Sequence, residues 1–287
     1  MQHTAGERPV RRQPGDLSTV DALAVEEPLE IRVDGERLVV TMRTPGHDEQ
    51  LAAGFCWTEG VVDHPDQIES VRTCGTARFG NVVDVTLSED ARDSRAARVR
   101  EARRDWVISS SCGLCGTTSI ERLKKQSQMF DSNWQLPAEF PGRLPEQMRR
   151  EQEAFARTGG LHAAAWFDSK GELKLLYEDV GRHNALDKLA GSRLLSGQIE
   201  EQCGVLLVSG RVSFELVQKA ARARLPFLAA LGAPTSIAVD AAQELGMTLV
   251  GFLKSDGRYN IYADPGRIGI DAAGRPGLGR SPPVDAR

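Results

Sequence analysis

The stretch from Gly204 to Leu253, GVLLVSGRVSFELVQKAARARLPFLAALGAPTSIAVDAAQELGMTLVGFL, decides the fold. Val205 to Val208 is a short continuous apolar run, as expected of a strand buried on both faces. Phe214 to Ala223 has helical spacing, Phe227 to Ala230 is a second apolar run, and Ser236 to Leu245 is a helix opened by a serine cap. Thr248 to Leu253 closes the series as a third strand. This β-α-β-α-β order implies a parallel sheet with helices packed on it. Ligands bind such sheets at the carboxyl ends of the strands. Here those ends carry Ser209-Gly210-Arg211, Leu231-Gly232-Ala233-Pro234 and Lys254-Ser255-Asp256-Gly257-Arg258.

Upstream, Ala163 to Phe167 and Leu173 to Tyr177 flank the turn Asp168-Ser169-Lys170-Gly171 and read as a hairpin, followed by a helix over about Asn184 to Ala190. The first half has a different rhythm. Leu29, Ile31 and Val33 alternate with polar residues, Asp34-Gly35 makes a tight turn, and Leu38, Val40 and Met42 resume the alternation, which is a hairpin signal. Asp48-Glu49 open a helix carrying Leu51, Ala52, Phe55 and Cys56 and stopping at Gly60, and Val82 to Leu87 is another strand. Ser88 to Arg104 reads as a charged, solvated loop, and Trp106 to Ile108 as a short strand. Residues 121–157 are polar and broken by Pro137, Pro141 and Pro145, as in a connector. Residues 1–27 and 271–287 have little apolar periodicity and read as flexible tails. The expected division is therefore a tail (1–27), a small α+β domain (28–107), a cysteine loop and connector (108–157), a larger α/β domain (158–270) and a second tail (271–287).

A chain of 287 residues, 40% hydrophobic and 26% charged, has the composition of a globular protein with room for two cores. With 36 Lys+Arg against 40 Asp+Glu, the net charge of −4 argues against a nucleic-acid binder that works by blanket phosphate neutralisation. Neither a secretory signal nor a membrane span is read in it, so the expected address is the cytoplasm. Five cysteines, Cys56, Cys74, Cys112, Cys115 and Cys203, do not make a disulfide framework.

Two of them form a lone Cys-x-x-Cys within Ser111-Cys112-Gly113-Leu114-Cys115-Gly116-Thr117. A structural zinc site needs four ligands and no second pair stands at ligand spacing, so no metal is expected. A thioredoxin-like motif sits in a βαβ unit, whereas the parallel unit here lies far downstream. Two inert buried cysteines conflict with Ser109, Ser110 and Ser111 before them and glycines beside them. A nucleophilic thiol on a moving loop remains.

Cys112-Gly113-Leu114-Cys115-Gly116, Thr158-Gly159-Gly160-Leu161-His162, the run Glu178-Asp179-Val180-Gly181-Arg182-His183-Asn184-Ala185-Leu186-Asp187-Lys188, and Ser209-Gly210-Arg211-Val212-Ser213-Phe214-Glu215 occur in this order. Together with Trp57-Thr58-Glu59-Gly60 and Gly232-Ala233-Pro234-Thr235-Ser236, they resemble the formate dehydrogenase accessory sulfurtransferase family, FdhD, over residues 28–268. The resemblance implies a larger domain folded like a cytidine deaminase, with three layers, and a homodimer. It implies a sulfurtransferase that takes persulfide sulfur from a cysteine desulfurase and passes it to the molybdenum cofactor, in its bis(molybdopterin guanine dinucleotide) form, for the catalytic subunit of formate dehydrogenase. By motif match Cys112 carries the persulfide and Cys115 relays or protects it. The cofactor segment maps onto Phe252, Leu253, Lys254, Ser255, Asp256 and Gly257, with Arg258 and Asn260 adjacent.

Ser209, Gly210 and Arg211 add backbone N–H groups and a cation suited to a pyrophosphate. His183 is a further candidate contact, beside an Asn184 read as a helix cap. Asp179 and Asp187 can equally cap the helix or pair with Arg182 and Lys188, and His162 can be a turn residue. The competing function is a non-catalytic chaperone for the cofactor or the apo-dehydrogenase, its cysteines used for docking or zinc.

Overall fold

The structure is a computed structural model that describes residues 4–12, 17–74, 81–92, 99, 130, 134–200 and 203–269. The described part is mixed α/β. It divides into two compact units that interleave along the chain: Met1–Gly113, Arg150–Ala164 and Leu176–Glu200 in the first, Leu114–Arg149, Ala165–Leu175 and Glu201–Arg287 in the second. The units are thus discontinuous in sequence, unlike the consecutive domains expected. The hairpin strands β7 (His162–Asp168) and β8 (Leu173–Asp179) each pass from one unit to the other.

The first unit is built on a four-stranded sheet in the order β4-β3-β6-β5. Strands β3 (Glu27–Val33) and β4 (Glu36–Arg43) are antiparallel, joined at the expected Asp34-Gly35. Both turn residues have positive φ, 48° and 80°, as a primed two-residue turn requires. Strand β6 (Val82–Leu87) lies parallel to β3, and β5 (Ile68–Thr73), which has no clear periodicity of its own, lies antiparallel to β6. Leu29, Ile31, Val33, Val83, Val85 and Leu87 are buried. Each such side chain contributes about 1.5–3 kcal/mol by leaving water.

Helix α1 (Asp48–Thr58) is buried from Leu51 to Thr58, because it packs on β5 and β6 and also against a later helix of the same unit, α4 (Arg182–Leu195). Two glycines permit that crossing. A Cβ at Gly54 would fall on the Asp187 carbonyl, and one at Gly191 on the Gln50 carbonyl. Residues 5–12 and 17–24, expected within a flexible tail, instead form a separate antiparallel ribbon of β1 (Ala5–Arg12) and β2 (Leu17–Ala24). A two-stranded ribbon is marginal by itself. This one has Arg8 opposite Asp21 and packs against the short helix α3 (Glu153–Thr158). Helix α2 (Leu144–Glu151) and α3 lie in the stretch expected as a plain connector.

The second unit contains the predicted β-α-β-α-β series: β9 (Gly204–Val208), α5 (Phe214–Arg222), β10 (Phe227–Ala230), α6 (Ser236–Glu244) and β11 (Thr248–Gly251). The three strands are parallel and every residue in them is buried. A final strand, β12 (Asn260–Ala263), pairs antiparallel with β11. The full sheet order is β12-β11-β10-β9-β7-β8. Helices α5 and α6 pack together, as two successive crossovers of one hand require.

Candidate functional site

The strand-end loops of the second unit converge as the parallel order predicts. The Gly232 N–H donates to the Gly210 carbonyl at 3.2 Å, the Val212 N–H to Ala233 at 3.0 Å, and the Phe252 N–H to Gly232 at 3.0 Å. The loops after β9, β10 and β11 are therefore stitched side by side through their main chains. Gly232 is required there, because a Cβ would stand 2.8 Å from the Gly210 oxygen and 2.9 Å from the Arg211 nitrogen. This arrangement brings Ser209, Gly210 and Arg211 together with Phe252 and Leu253.

Phe252 has φ 52°, in the left-handed region that a bulky residue rarely adopts, and it is 43% exposed. Its own N–H and that of Leu253, which donates to Ala230 at 3.0 Å, hold the strained turn in place. Strain of this kind costs about 1–3 kcal/mol and persists where the surroundings over-determine it. Leu253 points the other way and is buried. Lys254, Ser255, Asp256, Gly257 and Arg258 make the exposed turn between β11 and β12, closed by Lys254 N–H to Arg258 and Gly257 N–H to Lys254. Arg258 donates from Nε to Asp256 at 2.8 Å, and this contact holds the Asp256 carboxyl below its ordinary value. Tyr259 anchors the turn, its hydroxyl donating to the Ala138 carbonyl at 2.7 Å, and burial pushes its pKa up to about 12.

Cys112 and Cys115 lie outside the described residues, as does the expected strand Trp106 to Ile108. Cys56 is fully buried on α1, where burial and then the charge of Asp187 push its thiol well up, so it is unsuited to nucleophilic work. Among the described residues no group of three or more His, Cys, Asp or Glu is placed to hold a metal ion.

The long Glu178–Lys188 run serves a different purpose, one the sequence left open. Asp179, at the end of β8, is fully buried, and its carboxylate accepts from four donors: the N–H of Thr44 at 3.1 Å, the N–H of Gly181 at 2.8 Å, Asn184 Nδ2 at 3.0 Å and Lys188 Nζ at 2.6 Å. Lys188, 1% exposed, also donates to the carbonyls of Thr44 at 2.9 Å and Glu178 at 3.3 Å. Burial lowers its pKa and the Asp179 charge opposes that. Asn184 also donates to the Met42 carbonyl at 2.8 Å. This cluster ties the end of β4, the end of β8 and the first turn of α4 into one piece.

One expectation changes, and of the readings open for Asp179 and Asp187 the structure selects the structural one. Asn184 is the third residue of α4 rather than its cap, a place taken by Gly181, because its side chain is spent on Met42 and Asp179. Asp179 pairs with Lys188 and Asp187 accepts from the Thr58 hydroxyl at 2.7 Å, so neither carboxylate is left for chemistry. His183 is the second residue of α4, partly exposed, in the first unit.

Sequence reasoning missed the partners contributed by the β4–α1 turn. Arg43 is buried with Nε and Nη2 each 2.9 Å from the Asp48 carboxylate. His47 has φ 57° and sets its ring edge-on to Tyr177 at 4.9 Å. Burial, then the Lys188 charge, lower its pKa, with Asp48 opposing. The only sequence signal for this turn was the acidic pair after His47, which marked the start of α1.

Comparison with known proteins places this architecture. The model of the FdhD/NarQ family matches residues 24–269. A protein of Streptomyces avermitilis named sulfur carrier protein FdhD is 45% identical over 277 residues, covering 93% of this chain and 96% of its own. One of the same name from Mycobacterium tuberculosis is 42% identical over 280 residues, covering 93% and 100%. A crystal structure of a formate dehydrogenase accessory protein from Desulfotalea psychrophila superposes with a TM-score of 0.72 at 22% identity, covering 92% of this chain and 98% of that one, which shows a shared fold.

Proposed function

Because the chain belongs to the FdhD/NarQ family, we propose that it is a cytoplasmic sulfurtransferase that carries sulfur as a persulfide on Cys112 and delivers it to the molybdenum cofactor used by formate dehydrogenase. The observation that carries this reading is the family match across residues 24–269, which includes the Cys112-x-x-Cys115 loop. In the loading step the Cys112 thiolate attacks the outer sulfur of a desulfurase persulfide. The new S–S bond forms as the old one breaks, and the desulfurase thiolate leaves. Cys115 serves as the second thiol of the loop. The acceptor is a bis(molybdopterin guanine dinucleotide), whose pyrophosphates and guanines suit the stitched loops at 209–211, 231–234 and 252–258. The exposed ring of Phe252 offers a face for a base, and Arg211, Lys254 and Arg258 are exposed cations. A second copy of the chain completes the working dimer.

The test is an intact-mass measurement of the full chain after incubation with a cysteine desulfurase and cysteine. A mass gain of one sulfur atom that disappears in Cys112→Ala is the expected result. An adduct-free protein holding stoichiometric zinc would sink the proposal in favour of a non-catalytic chaperone.

A further inference from the structure

The turn that joins β11 to β12 projects from the sheet. Residues 254–258 are all exposed, while Leu253 before them and Tyr259 after them are buried. Residues 136–142, expected from their prolines as part of a plain connector, meet this turn from elsewhere in the second unit. The Leu136 N–H donates to the Arg267 carbonyl and the Gly269 N–H to the Leu136 carbonyl, both at 2.8 Å, so one end of the segment is paired to the chain beyond β12. The Ala138 carbonyl accepts from the buried Tyr259 hydroxyl at 2.7 Å. Phe140 lies over the β7–β8 turn, where a Cβ at Gly171 would stand 3.3 Å from its Cε2. At Gly142 the two backbones touch, since a Cβ there would stand 2.5 Å from the Gly257 Cα. We propose that residues 136–142 form a strap that sets the position of the 254–258 turn, and that Tyr259 and Gly142 are positioning residues for the nucleotide end of the cofactor bound there.

An exposed turn gains little order from burial, and a loop already held in its binding geometry spares the ligand the cost of ordering it. Lys254 and Arg258 ride on this turn, so a displacement of about 1 Å moves both cations away from a bound pyrophosphate. Tyr259 is suited to fix it. Its ring is buried directly after Arg258, and burial raises its pKa to about 12, so the hydroxyl stays a donor throughout the neutral range. Gly142 acts by what it lacks. Any side chain there must push Gly257, whose φ of 85° and N–H bond to the Lys254 carbonyl shape the turn. Neither residue belongs to the ligand-facing loops, so each acts on binding only through the turn.

The strap deepens the cofactor reading and rests on it for the identity of the ligand. Its test is hydrogen exchange of the full chain, read at the Lys254 and Gly257 amides, together with calorimetric titration with guanosine diphosphate. Tyr259→Phe keeps the ring and removes only the hydroxyl. Exchange at both amides should quicken, and guanosine diphosphate affinity should fall about three- to tenfold. Gly142→Ala displaces Gly257 directly and should give the larger loss. Thr248→Val removes another hydroxyl bond of the same unit, the 2.9 Å one to Asp264, at the opposite end of β11. It should lower the melting temperature and leave the affinity unchanged, which separates positioning from general destabilisation. Parent-like affinity in both strap variants overturns the proposal, as does an equal loss in Thr248→Val. A parent chain that binds no guanosine diphosphate counts against the cofactor reading instead. Exchange then judges the strap alone: faster exchange at the turn in both variants supports it, and unchanged exchange overturns it.

Discussion

Around Asp179 and Lys188 the protein spends its polar side chains on one another, whereas the loops at the ends of β9, β10 and β11 are joined to each other through main chain. The ammonium of Lys188 has three acceptors and the carboxylate of Asp179 four donors, all inside the first unit. The strand-end loops of the second unit are joined backbone to backbone, and Arg211, Phe252, Lys254 and Arg258 remain exposed. Buried ionic groups that are fully satisfied shape a fold, and exposed ones on a rigid frame are available to a ligand. Runs of charged residues can therefore mark opposite things. Here the longer run is chiefly scaffold.

The largest test of that contrast is Lys188→Met. It strands the buried Asp179 carboxylate and should cost about 3–5 kcal/mol. Urea unfolding should show it as a lower midpoint, and an apolar replacement of both partners should recover much of the loss. If the single variant unfolds like the parent, the cluster is not scaffold. Gly232→Ala comes next. Its Cβ would meet the Gly210 oxygen and the Arg211 nitrogen inside ordinary contact distance, so about 1–3 kcal/mol of stability is lost as the loops separate. Guanosine diphosphate titration should weaken with it.

Phe252→Ala should separate the two quantities. Loss of a stacking face costs roughly 1–3 kcal/mol in nucleotide binding. Thermal unfolding should move much less, because the ring is 43% exposed and its loss removes little buried surface. Equal effects on both measurements would place Phe252 in the scaffold. The smallest effect is the pH dependence of the first unit. His47 and His162 both have folded pKa values below the ordinary 6.5, so the unfolded chain binds their protons more readily. Stability from this source is complete above about pH 6.5 and is lost as pH falls through the folded values. A double His47→Gln, His162→Gln variant should show a flatter decline in melting temperature between neutral and mildly acid pH.

The parallel core was legible because a buried parallel strand must be apolar on both faces, which β9, β10 and β11 are. The Asp34-Gly35 hairpin was legible because its turn needs residues that tolerate positive φ. Strand β5 was not, since Ile68 to Thr73 carries two apolar residues among four polar ones and is ordered by its neighbour β6. The β1–β2 ribbon was read as a tail for the same reason: with Arg8, Pro9, Arg11 and Arg12 in one strand it presents no apolar stripe, and register with β2 supplies its order. Strand β12 is four residues long and exists as an antiparallel addition to β11. In the site, the strand-end loops could be named from topology alone. The strain at Phe252 and the pairing of its N–H with Gly232 could not.

The sequence by itself determined the local patterns: the apolar runs, the turns, the Cys112-x-x-Cys115 loop and the motif order that marks the family. Those follow from neighbours along the chain, where side-chain period and backbone preference act. Tertiary structure decided which polar residues are spent. Thr44 and Asp179 stand 135 residues apart yet share a hydrogen bond, and that meeting helps fix Asp179 as Lys188's buried partner. Burial sets this outcome, since a desolvated charge must find its partners wherever the fold places them.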